Sequence, residues 1–143
     1  MGFEHVIPQL VMKLASQLSG HNVGSKMKLN IEGNGKQTRS FIFITDAIKA
    51  IILSTIGSSY SGVIHIGTED EITIKLLAKE TIKCFGVKAD LTFTDSKPGG
   101  PNRRCPDTKQ LKKLGFKNRT ILRTGLNETV SWYKDFYSNF SDS

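Results

Sequence analysis

Gly33-Asn34-Gly35-Lys36-Gln37-Thr38-Arg39-Ser40-Phe41-Ile42-Phe43-Ile44-Thr45-Asp46 sets a glycine turn, an arginine, an apolar run and an acidic residue in immediate succession. Glycines at alternate positions let the backbone reverse through positive φ, which side chains with a Cβ rarely adopt. The run Phe41 to Ile44 reads as a buried strand, and Thr45 or Asp46 as the cap of a following helix. Arg39 stands at the mouth of that strand, where its planar guanidinium can offer parallel N–H groups to a phosphate. The competing reading is a β-hairpin that leaves Arg39 as an ordinary surface charge.

Toward the N-terminus, Met27 to Ile31 alternates apolar and polar residues, as a half-buried strand does. Before it, Pro8 opens a helix over residues 7–18 on which Val11, Leu14, Ala15 and Leu18 recur at helical spacing. On the other side, Ala47, Ile48, Ala50, Ile51 and Ile52 cover so much of a helix's circumference that the helix is predicted to be buried. Gly57 to Gly62 reads as a flexible loop, and Val63 to Gly67 as a short buried strand with His65 a satisfied core histidine.

Thr73 then caps a helix that carries Ile74, Leu77, Ala78, Ile82 and Phe85 on one face and ends at Gly86. Leu91 to Thr94 is a further strand, and the glycine-proline loop from Lys97 to Pro101 delivers Arg103 and Arg104. Asp107 caps a short helix that runs to Gly115. Leu126, Val130, Tyr133 and Tyr137 mark a last amphipathic helix, and the polar end from Ser138 to Ser143 is expected to fray. Strands alternating with helices predict an α/β fold, and 143 residues without repeats or linkers predict one domain, 1–143.

Lys and Arg number 20 against 13 Asp and Glu, a formal charge of +7 that favours an acidic ligand: nucleic acid, an anionic membrane or a phosphorylated metabolite. The basic stretches at Arg103-Arg104, Lys109 to Lys113 and Lys117 to Arg123 have no interleaved aromatic residues to stack bases on. A small basic nucleic-acid-binding module is therefore the alternative reading, and it predicts an affinity that falls steeply with salt. Cys84 and Cys105 form no C-x-x-C pair, which fits a reduced, cytoplasmic setting, and no apolar run is long enough to span a bilayer. The sequons at Asn118, Asn127 and Asn139 are expected to be silent. His5, His21 and His65 are too dispersed for a metal site. The acids Glu69-Asp70-Glu71 read as solubility and helix-dipole residues without a catalytic role.

Several short motifs occur in a telling order: Val6-Ile7-Pro8-Gln9, Gly33-x-Gly35-x-Gln37-x-Arg39-Ser40-Phe41, Asp46, Ile64-His65-Ile66-Gly67, Arg103-Arg104-x-Pro106-Asp107, Leu114-Gly115-Phe116, and Gly125-Leu126 through Trp132-Tyr133. This order resembles the extended short-chain dehydrogenase/reductases, the NAD(P)-dependent nucleotide-sugar epimerases, dehydratases and decarboxylases. The match runs over nearly the whole chain but only to that family's C-terminal half. It implies the substrate-binding part of an extended Rossmann-type enzyme, lacking the N-terminal dinucleotide-binding part. The family's glycine-rich pyrophosphate turn has no counterpart here. Four places after Tyr60, Tyr133 and Tyr137 come Ile64, Tyr137 and Ser141, so the family's Tyr-x-x-x-Lys pair is missing too.

The resemblance therefore implies a truncated enzyme, inactive alone, with no catalytic residue and no cofactor bound by this chain, and NAD(P) in the full-length enzyme. It implies that Arg39 and one of Arg103 or Arg104 clamp the diphosphate of a nucleoside-diphosphate sugar. The helix opened by Val6 to Gln9 would lie over the nucleotide, and Leu29, Asn30 and Ile31 would lead into the turn that sandwiches the base. Plain core packing is the competing reading of the apolar side chains among these, which leaves Gln9 and Asn30 to read a base edge. Apolar faces over residues 41–53 and 62–67 would be covered by the family's N-terminal half or by self-association. Thr124 stands where the family often has an acid, which leaves the sugar open.

Overall fold

A computed structural model describes residues 5–18, 26–56, 59–95 and 100–141. In chain order the elements are α1 (Val6–Leu18), β1 (Met27–Glu32), β2 (Thr38–Ser40), α2 (Ile44–Ile56), β3 (Glu71–Thr73), α3 (Ile74–Phe85), β4 (Ala89–Thr94), β5 (Arg103–Arg104), α4 (Lys109–Lys113) and α5 (Leu122–Ser141). The alternation expected of an α/β fold is present. The strands form two small sheets: β1 pairs with β4 in parallel, and β2 lies between antiparallel β3 and parallel β5.

Each element follows from its residues. Along β1, Met27, Leu29 and Ile31 point inward while Lys28, Asn30 and Glu32 face solvent, the period of two that a one-sided strand requires. Helix α3 starts where the Thr73 hydroxyl accepts the Leu76 N–H, and stops at Gly86, whose φ of 80° suits a residue without a Cβ. Leu77, Ala78 and Phe85 of α3 meet Leu10, Val11 and Leu14 of α1 and Leu126, Val130 and Tyr133 of α5, which makes the core.

The opening glycine turn has the backbone its residues require, with φ of 75° at Gly33 and 69° at Gly35. A Cβ on Gly35 would lie 2.9 Å from the Phe93 ring and 3.0 Å from Lys75 Cβ, so close packing as well as φ calls for glycine. The turn does not make a hairpin. β1 and β2 belong to different sheets, so the chain crosses from one sheet to the other there.

Four expectations are corrected. Phe41 to Phe43 form no strand, and α2 begins already at Ile44. Val63 to Gly67 form no strand either; Val63 is 76% exposed and His65 lies at the surface. An apolar run becomes a strand only when another strand's C=O groups accept its N–H groups and that strand's N–H groups donate to its C=O groups, and the described residues offer none to these two segments. Helix α2, expected to be buried, exposes Ile44, Ile48, Ile51, Ile52 and Ile56, and turns Asp46 and Ala50 inward. Asp46 is not a cap but a tie: its carboxylate accepts the backbone N–H groups of Arg119 and Thr120 at 3.1 and 2.7 Å. Burial raises the Asp46 pKa, but these bonds and the Lys49 ammonium outweigh it and the carboxyl ends below its usual range.

Helix α4 is tied more conventionally, with the Asp107 carboxylate accepting the Lys109 N–H at 3.0 Å. Residues 57 and 58 of the expected loop, Lys97 to Gly99, His21 and the last two residues lie outside the described residues, and α5 runs on to Ser141.

Candidate functional site

The β3-β2-β5 sheet carries the arginines. In its register Arg39 sits directly beside Arg104, with Ile72 of β3 on the other flank, while Thr38 sits beside Arg103 and Thr73. Successive residues of a strand face opposite sides. Arg39 and Arg104 thus share one face, and Thr38, Arg103 and Glu71 share the other.

Arg39 is half-buried. Its Nη1 donates to the carbonyls of Thr38 at 2.7 Å and Asn102 at 3.4 Å, and its Nη2 to that of Pro101 at 3.0 Å. These contacts pin the loop that enters β5, and they orient the guanidinium without neutralising it. Arg104 is exposed, and among the described residues its guanidinium has neither a hydrogen bond nor an ion pair. Two like charges side by side on paired strands repel, and an anion lying between them relieves that repulsion.

Arg103 behaves differently. Its Nε and Nη2 reach both carboxylate oxygens of Glu71, with the shortest contact 2.6 Å, and the Thr38 hydroxyl donates to the same carboxylate at 2.7 Å. The Arg103 guanidinium, and then the Thr38 hydroxyl, hold the Glu71 carboxyl below its ordinary range. Glu69 is engaged as well. Its carboxylate takes the Lys112 ammonium and the Thr108 hydroxyl and N–H, which draw its pKa down from 4.5 to about 2.

A cleft of about 930 Å³ opens over this face, between the first turn of α1, the segment from Arg39 to Ile42, Ile66-Gly67 and the segment from Arg103 to Pro106. Gly67 is held tightly there, since a Cβ on it would come within 2.6 Å of Pro106 Cγ. The cleft therefore brings Arg39 and Arg104 to one site together with Val6, Ile7 and Pro8, and Arg103 adds to its wall while its guanidinium is held by Glu71.

The other residues singled out by sequence lie elsewhere. Leu29 and Ile31 are buried in the core beneath α1 and α3 and present no surface to a ligand. Asn30 is exposed on β1, where its carbonyl accepts the Lys13 ammonium at 2.8 Å and its side-chain oxygen the Thr92 hydroxyl at 3.4 Å. Gln9 is exposed on α1 and is not part of the cleft wall. Sequence reasoning missed Glu69 and Glu71, whose partners lie 32 to 43 residues away along the chain, beyond the reach of any local spacing. Part of the basic charge on α4 is offset, since Lys109 pairs with Asp107 and Lys112 with Glu69. Among the described residues, no helix is long and apolar enough to cross a membrane, and no three His, Cys, Asp or Glu side chains converge as a metal would need.

No family model matches the chain. Individual relatives do. The chain is 32% identical to a GDP-L-fucose synthase of Sinorhizobium fredii over 139 residues, which is 97% of this chain and 42% of that protein. It superposes with a TM-score of 0.78 and 28% identity on a UDP-N-acetylglucosamine 4-epimerase from Methanobrevibacter ruminantium in complex with UDP-N-acetylmuramic acid, covering 95% of this chain and 41% of that one. DesIV, a dTDP-glucose 4,6-dehydratase from Streptomyces venezuelae with NAD and TYD bound, gives a TM-score of 0.76 and 25% identity over 94% of this chain and 40% of that one. This chain matches the C-terminal part of the extended short-chain dehydrogenase/reductase family. It spans less than half the length of each of these extended short-chain dehydrogenase/reductases.

Proposed function

We propose that this chain is the nucleotide-sugar-binding part of an NAD(P)-dependent epimerase- or dehydratase-type enzyme, and that it holds a nucleoside-diphosphate sugar by its diphosphate. The observation that carries the reading is the pair Arg39 and Arg104, adjacent in the sheet register, facing one cleft and, among the described residues, without a carboxylate partner. A diphosphate carries negative charge on several oxygens, and two planar guanidinium groups can each take two of them. The apolar opening of α1 offers Val6, Ile7 and Pro8 as a wall against which a nucleoside can lie. The relatives that support the substrate class act, by their names, on GDP-, UDP- and dTDP-linked sugars, so the reading leaves the base and the sugar open.

The chain's share of the work is to bind and orient. It lacks the Tyr-x-x-x-Lys pair that would move the proton and the glycine turn that would take the dinucleotide. NAD(P), held by a dinucleotide-binding part, would supply hydride transfer. Alone, the chain is expected to be inactive.

Thermal shift tests the reading. UDP, GDP or dTDP at a hundredfold excess over its dissociation constant should stabilise the fold by about 2.7 kcal/mol, with NAD giving a smaller shift. A larger shift with NAD than with any of the three overturns the assignment. Tight binding of an oligonucleotide that collapses with salt would favour a nucleic-acid module instead.

A further inference from the structure

We propose that Glu71 is a positioning residue of the anion site: it anchors Arg103 on the far face of the β3-β2-β5 sheet, and so holds Arg104 beside Arg39 in the cleft. The inference rests on the reading that the cleft binds a diphosphate.

The argument begins with the length of β5. A strand of two residues, Arg103 and Arg104, has no hydrophobic pattern to fix its register. A slip of one position would exchange the faces of Arg103 and Arg104, turning the Arg104 guanidinium away from the cleft and that of Arg103 toward it, because neighbouring side chains point to opposite faces. The two residues are the same amino acid, so side-chain chemistry on β5 cannot tell the registers apart.

Glu71 breaks this degeneracy. It lies on β3, across β2 from β5, with its side chain on the face opposite to Arg39. One carboxylate accepts Nε and Nη2 of Arg103 together with the Thr38 hydroxyl, so all three strands are laced on that face. The side-on geometry uses the edge of the guanidinium and fixes its plane as well as its place. In the plane of the sheet the Asn102 carbonyl accepts the Thr38 N–H at 2.9 Å, and on the cleft face the Pro101 carbonyl accepts Arg39 Nη2 at 3.0 Å. Pinned from both faces, β5 has one register, and Arg103 acts as an anchor while Arg104 acts as a ligand-binding residue.

The test compares UDP binding by calorimetry in E71A, R103A, R104A and the charge-swapped double variant Glu71→Arg with Arg103→Glu. R104A should weaken binding about tenfold, the scale of one charge-assisted contact. E71A should weaken it by several-fold, with faster hydrogen exchange confined to residues 102–105 and an unchanged melting temperature. The swapped pair restores the far-face bridge with its polarity reversed, and binding should return to within threefold of the unmodified chain. Wild-type affinity in E71A overturns the proposal. So does a swapped variant that binds no better than R103A, since Arg103 itself would then be the phosphate ligand. A wild-type chain that binds no nucleoside diphosphate would instead sink the diphosphate reading on which the inference stands.

Discussion

Helices α2 and α3 are nearly equal in length and both rich in apolar residues, yet they use those residues in opposite directions. α3 sends Leu77, Ala78 and Phe85 into the core and leaves lysines outside. α2 sends Asp46 and Ala50 inward and leaves Ile44, Ile48, Ile51, Ile52 and Ile56 outside, the last of them 83% exposed. The isoleucines follow one another at spacings of four, three, one and four, a stripe along one side of the helix. Hydrophobic spacing thus tells which face of a helix avoids water, but not whether this chain provides the cover. In α3 it does, and in α2 the described residues leave the stripe exposed.

The largest effect should separate the two helices by stability. Phe85→Ala removes a ring that is 2% exposed and lies under the Lys134 ammonium, and should cost about 3–5 kcal/mol in denaturant unfolding. Ile51→Ala in α2 should stay within about 0.5 kcal/mol for the isolated chain. A cost above 2 kcal/mol there would mean that α2 is packed in solution and would break the contrast.

Next in size is association. We expect the uncovered stripe to draw chains together into a dimer or larger species at micromolar concentration, read by light scattering. The double change Ile48→Gln with Ile52→Gln should shift the chain toward monomer and reduce binding of a hydrophobic dye. A compact wild-type monomer that binds no dye would show that the chain closes over α2 by itself.

The smallest effect concerns the cap that makes α3 so legible. Thr73→Ala should lose about 1 kcal/mol, because the Leu76 N–H gives up its acceptor. Thermal unfolding of the variant checks it, and Thr73→Ser should recover most of the loss.

What could be read in the sequence divides along the same line. Elements whose signals are local came through: the Gly33 and Gly35 turn, β1, the caps of α3, and the apolar side of α5. The guanidinium groups of the site were legible as residues, because an arginine after a glycine turn and an arginine pair after a proline-glycine loop stand out by type. Their sorting was not. Nothing in the order Arg103-Arg104 says which one meets Glu71, since that depends on a carboxylate 32 residues earlier and on a strand order visible only after folding. Phe41 to Phe43 and Val63 to Gly67 misled for the reason that α2 did. Their composition fits a sheet, and the described residues contain no strand beside them.

The sheet formed by β1 and β4 bears on how the chain reaches this fold. Met27 pairs with Ala89 and Glu32 with Thr94, so the ladder joins segments about sixty residues apart. A parallel pair cannot close through a tight turn, and here the crossover contains β2, α2, β3 and α3. The entropy of gathering that loop is lost before the ladder returns any free energy. Hairpin-like speed is therefore closed to this sheet. The parallel ladder is therefore expected to form later than α3, whose caps are neighbours in sequence.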